Sequence, residues 1–230
     1  MGVRHVAVEG IVATDAELDH TLGIVLLREA RQLQLYVTPA VRTILDQDSR
    51  ILPVTAAFAR VTVIEMALDQ PVSLRYRDGE SSGITIVPFR VAAGPPRFAR
   101  QNAAGHTVGL MLREENGGGS CAFVPGCGDL DQPLLERLAG ADLVLFDGTF
   151  WTDDELISLG IGDRRAREMD HHPIAGLDGT LSRLARLSGP RKVYTHINNT
   201  NPMLLEGSAE RAAVERAGIA VGADGMSFTV

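Results

Sequence analysis

Cysteine and lysine are both scarce in this sequence of 230 residues. The two cysteines, Cys121 and Cys127, are too few for the disulfide framework that is typical of small secreted proteins. Lys192 is the single lysine, and the other basic side chains are arginines. The formal net charge of −7 argues against nucleic acid as a partner, because a phosphate-binding surface needs an excess of clustered basic residues.

Long apolar runs, low-complexity tracts and blocks of like charge are also missing. No run approaches the length of a membrane-spanning helix, so no membrane association is expected. The first four residues lead directly into an apolar segment, without the pattern of a signal peptide. A cytoplasmic location, in a reducing compartment, is therefore expected.

Short apolar segments rich in valine and isoleucine alternate with amphipathic segments along the chain. A hydrophobic content of 45% is enough for a substantial core, and we predict one α/β domain over residues 1–230. The predicted strands are Val6–Ala13, Leu33–Val37, Val61–Met66, Ser73–Arg77, Ile84–Val91, Thr107–Arg113, Cys121–Val124, Leu143–Phe146, Lys192–Thr195 and Met226–Val230. The predicted helices are Leu18–Arg31, Ala40–Gln47, Thr180–Leu187 and Ala209–Ala217. The first strand is apolar enough for a central position, with neighbours on both sides.

Three carboxylates and an imidazole stand within six residues near the start of the chain, between two apolar segments. They belong to Asp15, Glu17, Asp19 and His20. Burying several unpaired carboxylates is costly, and the next basic residue along the chain is Arg28. A bound metal cation is the simplest source of the missing positive charge. The alternative is an ordinary helix start, with Asp15 as N-cap and the other acids favoured by the helix dipole.

Four further polar clusters follow later in the sequence, most of them where a predicted strand ends. They are Gly105-His106-Thr107, Asp147-Gly148-Thr149-Phe150-Trp151, Met169-Asp170-His171-His172-Pro173 and the string from Thr195 to Pro202. Because α/β folds assemble their sites from loops at one edge of the sheet, we predict that these clusters converge on one site. The structural alternatives are a buried histidine at position 106, a turn at Asp147, and an exposed loop position for His171 or His172.

Read in order, these segments resemble the metal-binding motifs of the metallo-β-lactamase superfamily. Its usual first motif is His-x-His-x-Asp-His, and Asp15 and Glu17 stand where the two leading histidines do. Longer strings are similar to the pyrroloquinoline quinone (PQQ) biosynthesis protein B family: Thr14–Gly23, Leu26–Glu29, Pro125-Gly126, Asp147–Trp151, His172–Ile174 and Tyr194–Pro202. The resemblance covers essentially the whole chain and implies a metallo-β-lactamase-like αββα sandwich. That family begins with an additional segment carrying a Cys-rich zinc knuckle, so this chain is expected to be an N-terminally truncated form lacking part of the N-terminal sheet.

The resemblance implies two adjacent metal positions. One would be formed by Asp19, His20, Asp147 and His196, which we also take as the catalytic residues. The other would be formed by Asp15, Glu17, His106 and the shared Asp147. Two imidazoles with carboxylates make a donor set suited to non-haem Fe(II), with O₂ as co-substrate. The same donors also bind Zn²⁺, which the isolated protein could contain.

The family resemblance further implies an iron-dependent hydroxylase that acts on a Glu–Tyr cross-linked diamino acid during PQQ formation. Arg28, Thr149, His172 and Asn199 are candidates for binding this substrate. The alternatives are a metallo-hydrolase of the metallo-β-lactamase type and a non-catalytic carrier of PQQ or its precursor. Because a truncated sheet exposes strand edges and apolar faces, we also expect a homodimer.

Overall fold

The computed structural model describes residues 6–230, which divide into two compact units. The first unit comprises residues 6–90, 94–110 and 114–116 of the described chain, and the second comprises Val91–Ala93, Met111–Arg113 and Gly117–Val230. Within residues 6–230, no helix is both long and apolar enough to cross a lipid bilayer.

The first unit is built around a small parallel sheet. Its strands are β1 (Ile11–Val12), β2 (Gln32–Val37) and β3 (Arg60–Glu65), in that spatial order. An antiparallel pair follows, formed by β4 (Val72–Arg75) and β5 (Ser81–Arg90), and β6 (Val108–Glu114) has residues in both units. The helices are α1 (Leu18–Leu26), α2 (Pro39–Thr43), which continues into a π-helical turn (Ile44–Asp48), and α3 (Ile51–Ala56).

The core of the first unit forms where these helices pack on the sheet. Ile24 of α1 and Val41 of α2 lie against Leu35 and Val37 of β2, and all four side chains are almost fully buried. Thr38 begins α2 because its hydroxyl accepts a hydrogen bond from the backbone N–H of Val41, and Pro39 suits the first helical position.

The second unit contains a parallel sheet with the strand order β10-β9-β8-β7. The strands are β7 (Ser120–Val124), β8 (Leu143–Asp147), β9 (Arg191–Thr195) and β10 (Ile219–Val221). The helices are α4 (Gln132–Ala139), α5 (Glu155–Ser158), α6 (Thr180–Leu184) and α7 (Ala209–Arg216), with single 3₁₀ turns at Arg167–Met169 and Pro202–Leu204. Parallel strands joined by helices bring all their carboxyl ends to one edge, where Asp147 pairs in register with Thr195.

The predicted elements agree with the structure for most strands, although several boundaries move. The first predicted strand is wrong in extent, because only Ile11–Val12 is extended, and wrong in position, because β1 lies at the end of the three-stranded order. The helix predicted to Arg31 ends at Leu26. The predicted strand Met226–Val230 is also wrong: these residues have no regular structure, and the last strand is Ile219–Val221.

Candidate metal centre

Three loops of the second unit meet at the carboxyl edge of its parallel sheet. Asp147 is the last residue of β8, and Thr149 follows it two residues later. His196 comes directly after β9, and the loop containing His171 returns to the same edge after the 3₁₀ turn. The donor atoms of Asp147, His171 and His196 all lie within 4.8 Å of one another.

Asp147 is the buried anion of this cluster, with a side chain that is only 1% exposed. Its Oδ1 accepts hydrogen bonds from the backbone N–H and the hydroxyl of Thr149, at 3.1 and 2.6 Å. Its Oδ2 accepts one from the backbone N–H of Cys127 at 3.1 Å and lies 2.7 Å from Nδ1 of His171. The carboxylate is therefore held from four directions.

The electrostatics of the cluster favour the charged carboxylate. Burial alone would raise the pKa of Asp147, but the charge and hydrogen bond of His171, followed by those of His196, outweigh it and lower the pKa to about 2. A carboxylate that stays ionised in a buried position can supply negative charge to a bound cation.

The two imidazoles stack on each other, with ring centroids 5.4 Å apart, and Phe150 contacts the His171 ring edge-on. Nδ1 of His196 lies 2.8 Å from the Thr149 hydroxyl. Because that hydroxyl has one proton and Asp147 is the stronger acceptor, Thr149 donates to Asp147 and accepts from Nδ1 of His196. Nε2 is then the atom of His196 that can bind a metal.

The backbone around His196 is strained, since this histidine has a φ of +52°, in the left-handed region. The asparagine-rich loop that follows holds this conformation in place. Asn201 is buried, and its side-chain amide donates to the carbonyl of Gly148 at 3.0 Å, while the N–H of Asn198 donates to the carbonyl of Thr149. The polar string after β9 thus ties the β9 loop to the β8 loop and fixes the histidine beside Asp147.

The donor set suits a transition metal. One carboxylate and two imidazoles are the ligands of facial-triad Fe(II) sites and are also compatible with Zn²⁺. Ligand atoms that share one metal at bond lengths of roughly 2.0–2.2 Å lie within about 4.4 Å of one another. Donor atoms that already lie within 4.8 Å need only small side-chain rotations to do so.

In the first unit, the side chains of the acidic segment form local hydrogen bonds, and the N-cap of α1 is not the predicted residue. Asp15 is buried and accepts hydrogen bonds from the Thr14 hydroxyl at 2.8 Å and the Glu17 N–H at 3.0 Å. Its carboxylate also lies 2.8 Å from Nδ1 of His20. Glu17, rather than Asp15, is the N-cap residue of α1, and Asp19 in the first turn is 73% exposed.

Asp15 and His20 stabilise each other's charged forms. Burial would raise the pKa of Asp15, but the hydrogen bond and charge of His20 outweigh it and lower the pKa. The same hydrogen bond raises the pKa of His20 against the effect of burial. With its proton on Nδ1, facing Asp15, a neutral His20 ring has Nε2 as its unprotonated nitrogen, and the role of His20 as a metal ligand stays a prediction.

The predicted second metal position receives no support from the distances within residues 6–230. No three-donor group in the described chain combines Asp15 and Glu17 with His106. His106 is buried, with Nδ1 3.4 Å from the Thr107 hydroxyl, and Thr107 in turn bonds to the carbonyl of Gly94. The assignment of these three residues as ligands stays a prediction.

Of the four residues predicted to bind substrate, two are buried and two are exposed. His172 is buried: its Nδ1 accepts from the Leu130 N–H at 3.1 Å, and its Nε2 lies 2.7 Å from the carbonyl of Asp178. Burial lowers the pKa of His172, so a neutral ring joins two loops. The expectation that one of the two adjacent histidines is exposed is wrong, since neither is. Thr149 is also buried and supports Asp147, whereas Arg28 and Asn199 are exposed.

His171 is the member of the cluster that the sequence did not assign. The signal was the pair of adjacent histidines, of which the sequence assigned only His172, as a candidate substrate-binding residue. Asp170, with a φ of +60°, turns the chain after the 3₁₀ turn and directs His171 to Asp147. The neighbouring ring of His172 points into the loop packing instead.

Comparisons with known proteins agree on the fold. The family model described as the β-lactamase superfamily domain matches residues 3–197. The chain is 40% identical to coenzyme PQQ synthesis protein B of Gluconacetobacter diazotrophicus, over 99% of this chain and 75% of that protein. It is similar to a zinc-bound PqqB from Methylobacterium extorquens, with 33% identity, a TM-score of 0.86, and coverage of 100% of this chain and 75% of that one.

A more distant structure, a diphosphatase of the PhnP family, has 19% identity and a TM-score of 0.60, over 95% of this chain and 69% of that one, and shows the shared fold alone. These similarities confirm the predicted metallo-β-lactamase-like α/β fold class.

Proposed function

Because the chain belongs to the coenzyme PQQ synthesis protein B family of the β-lactamase superfamily, we propose that it is a metal-dependent, O₂-using hydroxylase of PQQ biosynthesis. Its proposed substrate is a tyrosine-derived diamino acid, cross-linked between glutamate and tyrosine side chains. The observation that carries the chemical part of this proposal is the cluster of one buried carboxylate and two imidazoles at Asp147, His171 and His196.

The composition of this cluster favours Fe(II) for turnover. Two histidines and one carboxylate occupy only part of an octahedral coordination sphere, which is the arrangement used by non-haem iron oxygenases. Bound Fe(II) would supply the O₂-dependent hydroxylation chemistry that the side chains of the chain lack. Zinc binds such donors more tightly than Fe(II), so the isolated protein is expected to contain zinc.

The residues of the chain have separate tasks in this proposal. Asp147 supplies a buried negative charge, and Thr149 fixes the orientation of its carboxylate through the 2.6 Å hydrogen bond. Phe150 packs on the edge of His171 and restricts the rotation of that ring. The participation of Asp19 and His20 in the same metal position stays a prediction from the sequence.

The test is anaerobic reconstitution with Fe(II), followed by exposure to air with tyrosine-derived catechol amino acids. With ascorbate added as the two-electron donor that reduces the second oxygen atom to water, we expect O₂ consumption and a product heavier by one oxygen atom in mass spectrometry. His171→Ala and His196→Ala should abolish both iron loading and O₂ uptake, and His20→Ala tests the sequence-predicted ligand in the same way. Hydrolysis of esters or phosphodiesters without O₂ uptake would identify a metallo-hydrolase, and tight PQQ binding without turnover would identify a carrier; either result contradicts the hydroxylase.

We also propose that the chain forms a homodimer through α1. Leu18, Leu22 and Leu26 recur every four residues on one face of this helix and are 46%, 58% and 74% exposed. We call them the α1 leucine stripe. Val54 and Phe58, from α3 and the turn after it, are 46% and 66% exposed, and α3 packs against α1.

A second copy of the chain fits the α1 leucine stripe because the stripe is nearly symmetric about Leu22. Two antiparallel copies of α1 would place Leu18 of one against Leu26 of the other, and the acidic start of each helix beside the basic Arg28 and Arg31 of its partner. At roughly 170 Å² for a large side chain, the five exposed apolar residues present about 500 Å² per copy. Two copies would bury about 1,000 Å², near the lower limit for a specific interface.

A further inference from the structure

A cleft of about 560 Å³ in the second unit opens beside His196. We call it the C-terminal cleft. Its floor is one face of the parallel sheet, formed by Leu145, Val193 and Thr195, and its volume lies in the range usual for small-molecule sites. Asp147, Thr149 and His171 do not line it, so it adjoins the metal cluster through His196.

The segment after β10 forms one wall of the cleft and is held in place by specific contacts. The N–H of Gly222 donates to the carbonyl of Tyr194 at 2.8 Å, and a Cβ at this glycine would stand 2.6 Å from that oxygen. Only glycine therefore lets the chain leave β10 so close to β9. Further along, Phe228 lies under the guanidinium of Arg191 at 5.4 Å, and the sulfur of Met226 lies 3.2 Å from the N–H of Ala223.

The lining combines both signs of charge with an apolar surface. Met226 and Phe228 supply apolar and aromatic surface from the wall. Glu206 and Asp224 supply carboxylates, and Arg211 of α7 supplies a guanidinium. Arg211 donates to Glu215 through Nε at 3.1 Å, and a guanidinium has four further N–H groups with which it can bind a ligand carboxylate.

We propose that the C-terminal cleft binds the amino-acid portion of an aromatic substrate, with the ligand carboxylate at Arg211, its ammonium group at Glu206 and Asp224, and its ring against Met226 and Phe228. The proposal rests on the proposed function in taking a tyrosine-derived molecule as substrate. It assigns substrate recognition to residues after β9, none of which the sequence patterns indicated. An amino acid bound there lies next to His196 of the metal cluster.

The test uses 3-fluoro-L-tyrosine as the probe, because it has no catechol that would chelate the metal. Binding to the zinc-loaded protein is followed by ¹⁹F NMR, with metal content measured in parallel. Arg211→Gln should weaken binding of the probe at least tenfold, since a charged hydrogen bond is lost. Arg216→Gln, at an exposed position on the same helix outside the cleft, is the matched control and should bind as the unaltered protein does.

Ligand analogues separate the two charged contacts. 3-Fluorotyramine has no carboxylate, so it should bind more weakly than the amino acid and should be insensitive to Arg211→Gln. Asp224→Asn should weaken the amino acid but not 3-(3-fluoro-4-hydroxyphenyl)propionate, which has no ammonium group. Equal affinities of the unaltered and Arg211→Gln proteins for the probe would overturn the proposal, as would equal losses in Arg211→Gln and Arg216→Gln.

The binding test and the O₂-uptake test can fail separately, so they distinguish the cleft assignment from the hydroxylase proposal. If no O₂ is consumed but Arg211→Gln selectively loses the probe, the cleft assignment stands and the hydroxylase fails. If O₂ is consumed and Arg211→Gln leaves the KM unchanged, the hydroxylase stands and the cleft assignment fails.

Discussion

Thr149→Val removes a single hydroxyl from the candidate metal centre and isolates its contribution. In the structure that hydroxyl donates to Oδ1 of Asp147 at 2.6 Å, and both side chains are buried. Valine has nearly the same shape, and the backbone N–H of Thr149 still donates to the same oxygen at 3.1 Å. The substitution therefore removes the charge-assisted hydrogen bond to Asp147 and the acceptor for Nδ1 of His196, without leaving the carboxylate unpaired.

The size of the effect follows from the kind of bond that is lost. A hydrogen bond to a charged group contributes about 1.5–3 kcal/mol to the free energy of unfolding. In a chain of this length that corresponds to a decrease in Tm of about 3–12 °C for the metal-free protein. Loss of a group that orients a metal ligand should weaken zinc binding about 10- to 100-fold.

Two measurements check this prediction: thermal unfolding of the metal-free protein, and zinc affinity by competition with a chromophoric chelator. Thr149→Ser is the matched control, because it keeps the hydroxyl and loses only a methyl group worth about 1 kcal/mol. Serine should restore most of the zinc affinity. If the valine and serine variants have the same zinc affinity, the hydroxyl does not orient Asp147 and the reasoning is wrong.

Three further predictions follow from the same structure. His171→Ala should lose most bound metal, whereas His172→Ala should keep it and lose about 2–5 kcal/mol in urea unfolding, because two buried hydrogen bonds are broken. Asp147 has a folded-state pKa of about 2, below its ordinary value of 3.8, so its stabilisation is present above pH 3.8 and lost as the pH falls towards 2; Tm of the metal-free protein should therefore fall more between pH 5 and 3 than that of Asp147→Asn. Leu22→Glu should convert the proposed dimer to a monomer in sedimentation, whereas Leu177→Glu, at a fully exposed leucine outside the α1 leucine stripe, should not; a monomeric unaltered protein would contradict the dimer.

The sequence predicted the sheet of the second unit better than its helices. The strand β8 is a continuous apolar run of leucine, valine and phenylalanine, which is the pattern of a strand buried on both faces, and β7 and β9 contain shorter apolar runs. The helix α4 was missed although its start carries clear signals: Asp131 caps it by accepting from the Leu134 N–H, and Pro133 lies in its first turn.

The candidate site was predictable where it depends on strand ends and not where it depends on a loop. Asp147 and His196 end or follow neighbouring parallel strands, so sequence order and sheet topology suffice to bring them together. His171 reaches the cluster through a loop whose course depends on the left-handed backbone of Asp170. The backbone conformation of Asp170 decides which of the two adjacent histidines contacts Asp147. A periodic pattern of apolar residues in the sequence does not predict such a conformation.

Asp15 differs in residue type from the histidine that usually leads the motif, and its local contacts can be read from the structure. Its place in the sequence, where relatives with the His-x-His-x-Asp-His motif have a ligand, predicts a metal-binding carboxylate. In the structure the carboxylate is buried and directed at Nδ1 of His20. A carboxylate at Nδ1 fixes the proton on that nitrogen and leaves Nε2 for a metal. The aspartate at the leading histidine position therefore orients the imidazole of His20, and its assignment as a metal ligand stays a prediction.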